Sequence, residues 1–173
     1  MNYLLRRLIL GITLIAVVLG LNGIFLQPAH AEIRKLQEDE NQVVYQSRQK
    51  LFDRYDQTWQ AIAFKRITAD SANPFTIRLS GFPGTTEIAH PQPLTVKTPT
   101  GETFYAEDVS EEAFVDQAPA GNIGQYDFES IISKLPTELE IIFSLPTQDE
   151  KQVQLAVSPL SIQEWKTVAA KES

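Results

Sequence analysis

VVYQSRQKLFDRYDQTWQAIAFKRI, residues 43–67, reads as two strands of one hairpin. Asp53-Arg54-Tyr55-Asp56-Gln57 supplies the turn, where Asp is favoured because its side chain bonds its own backbone. The second strand, Trp59–Ile67, is apolar on both faces. Side chains alternate along a strand, so Ile62 and Phe64 point one way while Trp59, Ala61, Ala63 and Ile67 point the other. A strand of that kind is expected to be covered on both sides. The small Ala61 and Ala63 leave room for a helix or a second sheet to come close. This hairpin is the expected middle of the sheet.

Shorter elements extend outward from it. Glu32–Asn41 is charged and aperiodic, a tether or a frayed first strand. Phe75–Ser80 alternates, with Phe75, Ile77 and Leu79 inward. Gly81-Phe82-Pro83-Gly84 then turns the chain, and Pro83-Gly84 suits the centre of a type II turn. Leu94–Lys97 and Thr103–Ala106 form a second hairpin, Leu139–Leu145 and Gln152–Val157 a third. Ser110 is expected to cap a helical turn with Glu111 and Glu112 at its positive end. Asp127 is expected to cap a short helix to Leu135, because Phe128, Ile131, Ile132 and Leu135 fall at helical spacing. Ser158-Pro159 opens the last helix, with Ile162, Trp165 and Val168 on one face. The expected class is α+β, mostly β. It has an antiparallel sheet of about six or seven strands and two short helices, with a small barrel or sandwich as variants.

The N-terminus carries an export signal. Arg6 and Arg7 precede an uncharged apolar run, Leu8–Leu26, and Ala29-His30-Ala31 gives the A-x-A pattern of a signal-peptidase site. Cleavage after Ala31 would leave residues 32–173 as one domain, long enough to bury a real core. The alternative is a permanent anchor, since the run approaches the length that spans a bilayer.

Composition removes several function classes. The chain contains no Cys, which excludes thiol nucleophiles, Cys-based zinc sites and iron–sulfur clusters. Residues 32–173 hold thirteen Lys and Arg against twenty-two Asp and Glu, a net charge of −9. That sign argues against nucleic acid and anionic lipid surfaces, so membrane contact is expected only through the signal segment or a membrane-complex partner. It permits a basic protein partner or a divalent cation.

Five segments carry a resemblance: Ala31-Glu32-Ile33-Arg34, Gln60-Ala61-Ile62-Ala63-Phe64-Lys65-Arg66, Arg78-Leu79-Ser80-Gly81-Phe82-Pro83-Gly84, Gly124-Gln125-Tyr126-Asp127 and Gln163-Glu164-Trp165. Together they resemble a family of cyanobacterial exported proteins that carry a domain of unknown function. The resemblance implies a cyanobacterial source, and with it the thylakoid lumen or periplasm. It implies no catalytic residue and no cofactor.

The residues add no enzyme motif. His90 is the one histidine after residue 31, and no serine sits in a G-x-S-x-G elbow. It reads as a loop histidine held by its prolines. Neither Gly81–Gly84 nor Gly121–Gly124 is a phosphate loop. Asp108–Glu112 lacks the glycine and distal glutamate of a calcium loop, so no metal ligand is assigned. No Lys or Arg occurs between Lys97 and Lys134, whereas eight acidic residues do. The expected function is therefore a non-enzymatic exported module that binds a protein with a basic patch. Glu107, Asp108, Glu111 and Glu112 would supply charge, and Phe82 and Tyr126 would serve as aromatic anchors. A β-domain that binds a small ligand or a divalent cation is the alternative.

Overall fold

The computed structural model describes residues 33–39, 41–68, 71, 73–114, 117–149 and 151–172. The apolar run 8–26 and the expected cleavage site lie outside those residues. Among the described residues, no helix is long and apolar enough to cross a membrane.

The long hairpin forms as its sequence dictates. Strands β2 (Gln42–Phe52) and β3 (Thr58–Thr68) pair antiparallel along their full length, from Gln42↔Thr68 to Phe52↔Thr58. Asp53 Oδ1 accepts from the backbone N–H groups of Tyr55 and Gln57 at 2.8 and 2.9 Å, closing the turn. Asp56 there takes a positive φ of 59°, which Asp tolerates better than most residues. β1 (Arg34–Asp39) pairs with β2 as an exposed edge strand, so the segment that could have been a tether is a strand.

The expected single sheet of six or seven strands is corrected to two antiparallel sheets. The first, in order, is β1-β2-β3-β4-β7, with β4 at Thr76–Ser80 and β7 at Ile123–Asp127. The second is β6-β5-β8-β9, with β5 at Leu94–Lys97, β6 at Thr103–Ala106, β8 at Ile141–Pro146 and β9 at Gln152–Val157. Isolated bridges join their margins at Asp53↔Leu155 and Asp108↔Tyr126, so the sheets are linked but not closed into a barrel.

Of the two expected helices, the last forms as read. Helix α1 (Pro159–Ala169) has Pro159 in its first turn, and the Ser158 side chain accepts from Ser161 N–H. The other is corrected: Asp127 ends β7, and only Ile132–Lys134 coils, as a 3₁₀ turn. Phe128, Ile131, Ile132 and Leu135 are still all buried. Their spacing reported burial faithfully and backbone geometry wrongly. Ser110–Ala113 is also a 3₁₀ turn, and Ser110 does not cap it.

The inward faces of both sheets and one face of α1 share one apolar core. Phe128, Phe143 and Trp165 stack through it with centroid separations of 5.3 and 5.8 Å. Ala61 and Ala63 are fully buried, and α1 packs on their strand. Lys65 Nζ donates to the carbonyl of Ala169 at 2.8 Å, and Ser47 Oγ donates to Glu164 Oε2 at 3.0 Å. The opposite face of β3 departs from expectation. Ile62 and Phe64 are only half-buried, and Phe64 is shielded by the Arg78 guanidinium 5.6 Å from its ring centroid.

Candidate functional site

The acidic segment lies along the free edge of β7. Asp127 N–H donates to the Glu107 carbonyl at 3.0 Å, and Val109 N–H to the Gln125 carbonyl at 2.8 Å. Residues 107–109 therefore run antiparallel to β7, from its Asp127 end toward its Ile123 end. The 3₁₀ turn with Glu111 and Glu112 follows. Glu107, Glu111 and Glu112 are exposed.

Asp108 is different. Its side chain is 3% exposed, and its carboxylate meets three donors. Oδ2 lies 2.6 Å from His90 Nδ1. Oδ1 accepts from Ser110 N–H at 2.9 Å and from Ser110 Oγ. An ionised carboxylate only accepts, so the imidazole donates through Nδ1. Ser110 Oγ in turn accepts from Gln125 N–H at 2.9 Å. The assignment of Asp108 to the docking charge is corrected: its charge is spent inside a network that fastens the segment to β7.

The same network contains a serine, a histidine and an aspartate, but it is not wired for acyl transfer. A triad needs the hydroxyl on the imidazole, whereas here it is held by the carboxylate and a backbone N–H. Among the described residues His90 Nε2, which is buried, has no partner; it lies beside a cavity of about 280 Å³ walled by Pro91, Val109 and Pro119. His90 is thus held by Asp108 as well as by its prolines, a link that spacing alone could not give.

Tyr126 is also corrected. It is fully buried, because Gly124 and Tyr126 are the inward-facing residues of β7. Among the described residues its hydroxyl has no partner, and a Cβ on Gly124 would lie 2.6 Å from it. Burial first, and then the Asp108 charge, hold the phenol well above its ordinary range. Tyr126 therefore offers no surface for a partner.

Phe82 lies at the Ile123 end of β7 and is 73% exposed. Its turn is type II, with Gly84 at φ 78° and Thr85 N–H donating to the Phe82 carbonyl at 3.4 Å. Gly81 and Asn122 exchange hydrogen bonds, Gly81 N–H to the Asn122 carbonyl and Asn122 Nδ2 to the Gly81 carbonyl, both at 2.9 Å. Gly81 also rests on Trp59: a Cβ there would approach the indole to 2.9 Å. A five-residue strand spans about 13 Å from first to last residue; Phe82 lies past its Ile123 end on the β4 side, and Glu107 flanks its Asp127 end on the other side.

The acidic run is not one continuous charged surface. Glu129 Oε2 accepts from Phe75 N–H at 2.6 Å, and Oε1 lies 3.7 Å from Lys65 Nζ. A cleft of about 730 Å³ lies between the Asp53–Gln57 turn, Gly84–Glu87 and Thr147–Val153. Its walls are mainly polar. Asp149 at its rim is held down to about 2 by the Thr147 hydroxyl and then by Lys151. Among the described residues, no three His, Cys, Asp or Glu side chains gather where they could hold a metal.

A family model described as a protein of unknown function, DUF3122, matches residues 31–168. The chain belongs to DUF3122. The match spans both sheets and nearly all of α1, so the β7 edge and the Phe82 turn are parts of the DUF3122 domain. No curated protein and no solved structure matches the chain. The DUF3122 description names no enzymatic activity.

Proposed function

We propose that this DUF3122 protein is a non-enzymatic exported accessory module of the cyanobacterial thylakoid lumen or periplasm. It binds another protein, one belonging to a photosynthetic or envelope membrane complex. Its docking site is the β7 edge, where Glu107, Glu111 and Glu112 meet a basic patch and Phe82 enters a pocket on the partner. The observation that carries this reading is Phe82 itself: a large aromatic, 73% exposed, on a turn pinned from beneath by Trp59 and from the side by Asn122. An aromatic carried on a backbone already held in place leaves less chain to order on binding, which is the character of an interface anchor. The Asp108 network serves the same end by holding the acidic segment in one conformation.

The ligand-binding alternative has less support. The cleft of about 730 Å³ is of ligand size but polar and open, unlike the apolar enclosure that a small ligand favours. Charge chiefly speeds encounter, while buried aromatics slow release. Reversing Glu107, Glu111 and Glu112 to Lys is therefore expected to slow capture of the partner from source membranes at low salt. Phe82→Ala is expected to hasten its release. Capture unchanged by both variants, with the fold intact, refutes the proposal.

A further inference from the structure

The net charge of −9 conceals an uneven distribution. Strand alternation and register place Arg34, Arg48, Lys50, Arg66 and Arg78 on the outer face of the first sheet; among the described residues its acids are Glu38, Asp39 and Asp127, with Glu107 across from Asp127 at its far edge. Glu38 is engaged by Arg66, Nε to Oε2 at 3.2 Å. Arg78 donates through Nε and Nη2 to Gln125 Oε1 at 3.1 and 2.7 Å. Among the described residues no carboxylate stands opposite Arg48 or Lys50, whose cross-strand neighbours on β3 are Ile62 and Gln60. Burial, and after it the Arg66 charge, pull the Arg78 guanidinium below its ordinary value. Arg48 and Lys50 thus stand as neighbouring exposed cations on one face of an acidic domain, an arrangement that favours an anion between them.

Two further observations give that anion a form. A cavity of about 340 Å³ is bordered by Arg48, Lys50, Thr58 and Gln60, donors suited to phosphate oxygens. Next along the same face of β2 comes Phe52, 51% exposed, and Leu36 of β1 is 41% exposed. Cationic side chains beside exposed apolar ones on one broad face match a membrane–water interface, which accepts both at once.

We propose that the outer face of the first sheet docks on a bilayer of anionic lipid. A phosphate headgroup sits beside Arg48 and Lys50, and Phe52 enters the headgroup layer. This goes beyond the protein-docking reading and shares no residue with it, since Glu107, Glu111, Glu112 and Phe82 lie at the β7 end of the sheet, across from Arg48 and Lys50. It places the domain against the membrane and leaves the β7 edge free for the partner. Overall charge argued against such a surface; its distribution argues for one.

The test is co-sedimentation of protein isolated after export from cells expressing the full chain. The probes are vesicles of phosphatidylcholine alone and of phosphatidylcholine mixed equally with phosphatidylglycerol. An apolar segment before residue 32, where retained, acts on both vesicle types alike, so the difference between them is what is read. Preference for the mixed vesicles, lost as salt rises, is expected. Removing Lys or Arg near an anionic surface weakens binding about fivefold per residue. Arg48→Gln with Lys50→Gln should therefore weaken it roughly thirtyfold. The same change at exposed Lys97 and Lys134, away from this face, should have little effect. Equal binding to both vesicle types overturns the proposal, and this arm needs no variant. So does equal loss from the Lys97 and Lys134 pair. Release from the mixed vesicles by inorganic phosphate at matched ionic strength overturns it too, by making the free anion the ligand.

Discussion

Replacing Asp108 by Ala should be among the most damaging single changes to this domain. The carboxylate is nearly buried and is the acceptor for His90 Nδ1, Ser110 N–H and Ser110 Oγ. Ala leaves those donors without their acceptor in a place that water reaches poorly. Leaving a buried donor without its acceptor costs about 1–3 kcal/mol, so the loss of all three should total roughly 3–5 kcal/mol, a large share of the roughly 5–15 kcal/mol that holds a domain folded. With a urea slope of about 2 kcal/mol/M, the midpoint should fall by roughly 2 M. A double-mutant cycle with His90→Ala isolates the imidazole contact. Its coupling energy should be about 1.5–3 kcal/mol, the range for a hydrogen bond to a charged group. Asp108→Ala melting with the wild type, or a coupling energy of zero, would show that the network fastens nothing.

Trp165→Ala should cost about 3–5 kcal/mol, because the indole is fully buried against Phe143. Phe64→Ala should cost only about 1 kcal/mol, since half-exposed surface has less to lose; equal costs in urea melts would mean that the outer face is misread. Tyr126 holds its proton more tightly folded than unfolded. Its contribution is therefore intact below the ordinary phenol value near 10 and is lost as pH rises past it. Tyr126→Phe should remove that alkaline loss and be neutral or stabilising at pH 7, because it deletes a buried hydroxyl without a partner. Thermal melts across the alkaline range read both effects, and a strongly destabilised Phe variant would reveal a missed hydrogen bond.

Local signals were the legible ones. The β2–β3 hairpin, the Pro83-Gly84 turn and the capped last helix each rest on neighbours in sequence. The two-sheet division was hidden because it turns on residues 107–109 leaving one sheet to pair with β7 in the other. That choice is made by contacts between distant segments. Strand β7 was missed because Gly124 breaks its apolar alternation. The Phe128–Leu135 spacing then drew the reading to a helix, although the same four side chains reach the core from a 3₁₀ turn. Of the docking residues, Phe82 keeps its expected place on an exposed turn. Asp108 and Tyr126 looked equivalent to their neighbours in sequence, yet both face inward. The Asp108-x-Ser110 spacing carried a faint local signal, an aspartate able to bond the backbone two residues on. His90 and Gln125, which complete the network, carried none.

Photo-crosslinking from position 82 reads out whether Phe82 and the acidic edge of β7 meet a protein. A photoreactive phenylalanine analogue is placed at position 82 of the full chain in cells of the source organism, with position 160 on α1, also exposed, as the control. The account predicts a discrete protein adduct from position 82 that weakens when Glu107, Glu111 and Glu112 are reversed to Lys, and no such adduct from position 160. No adduct from position 82, or the same adducts from both positions, would contradict it.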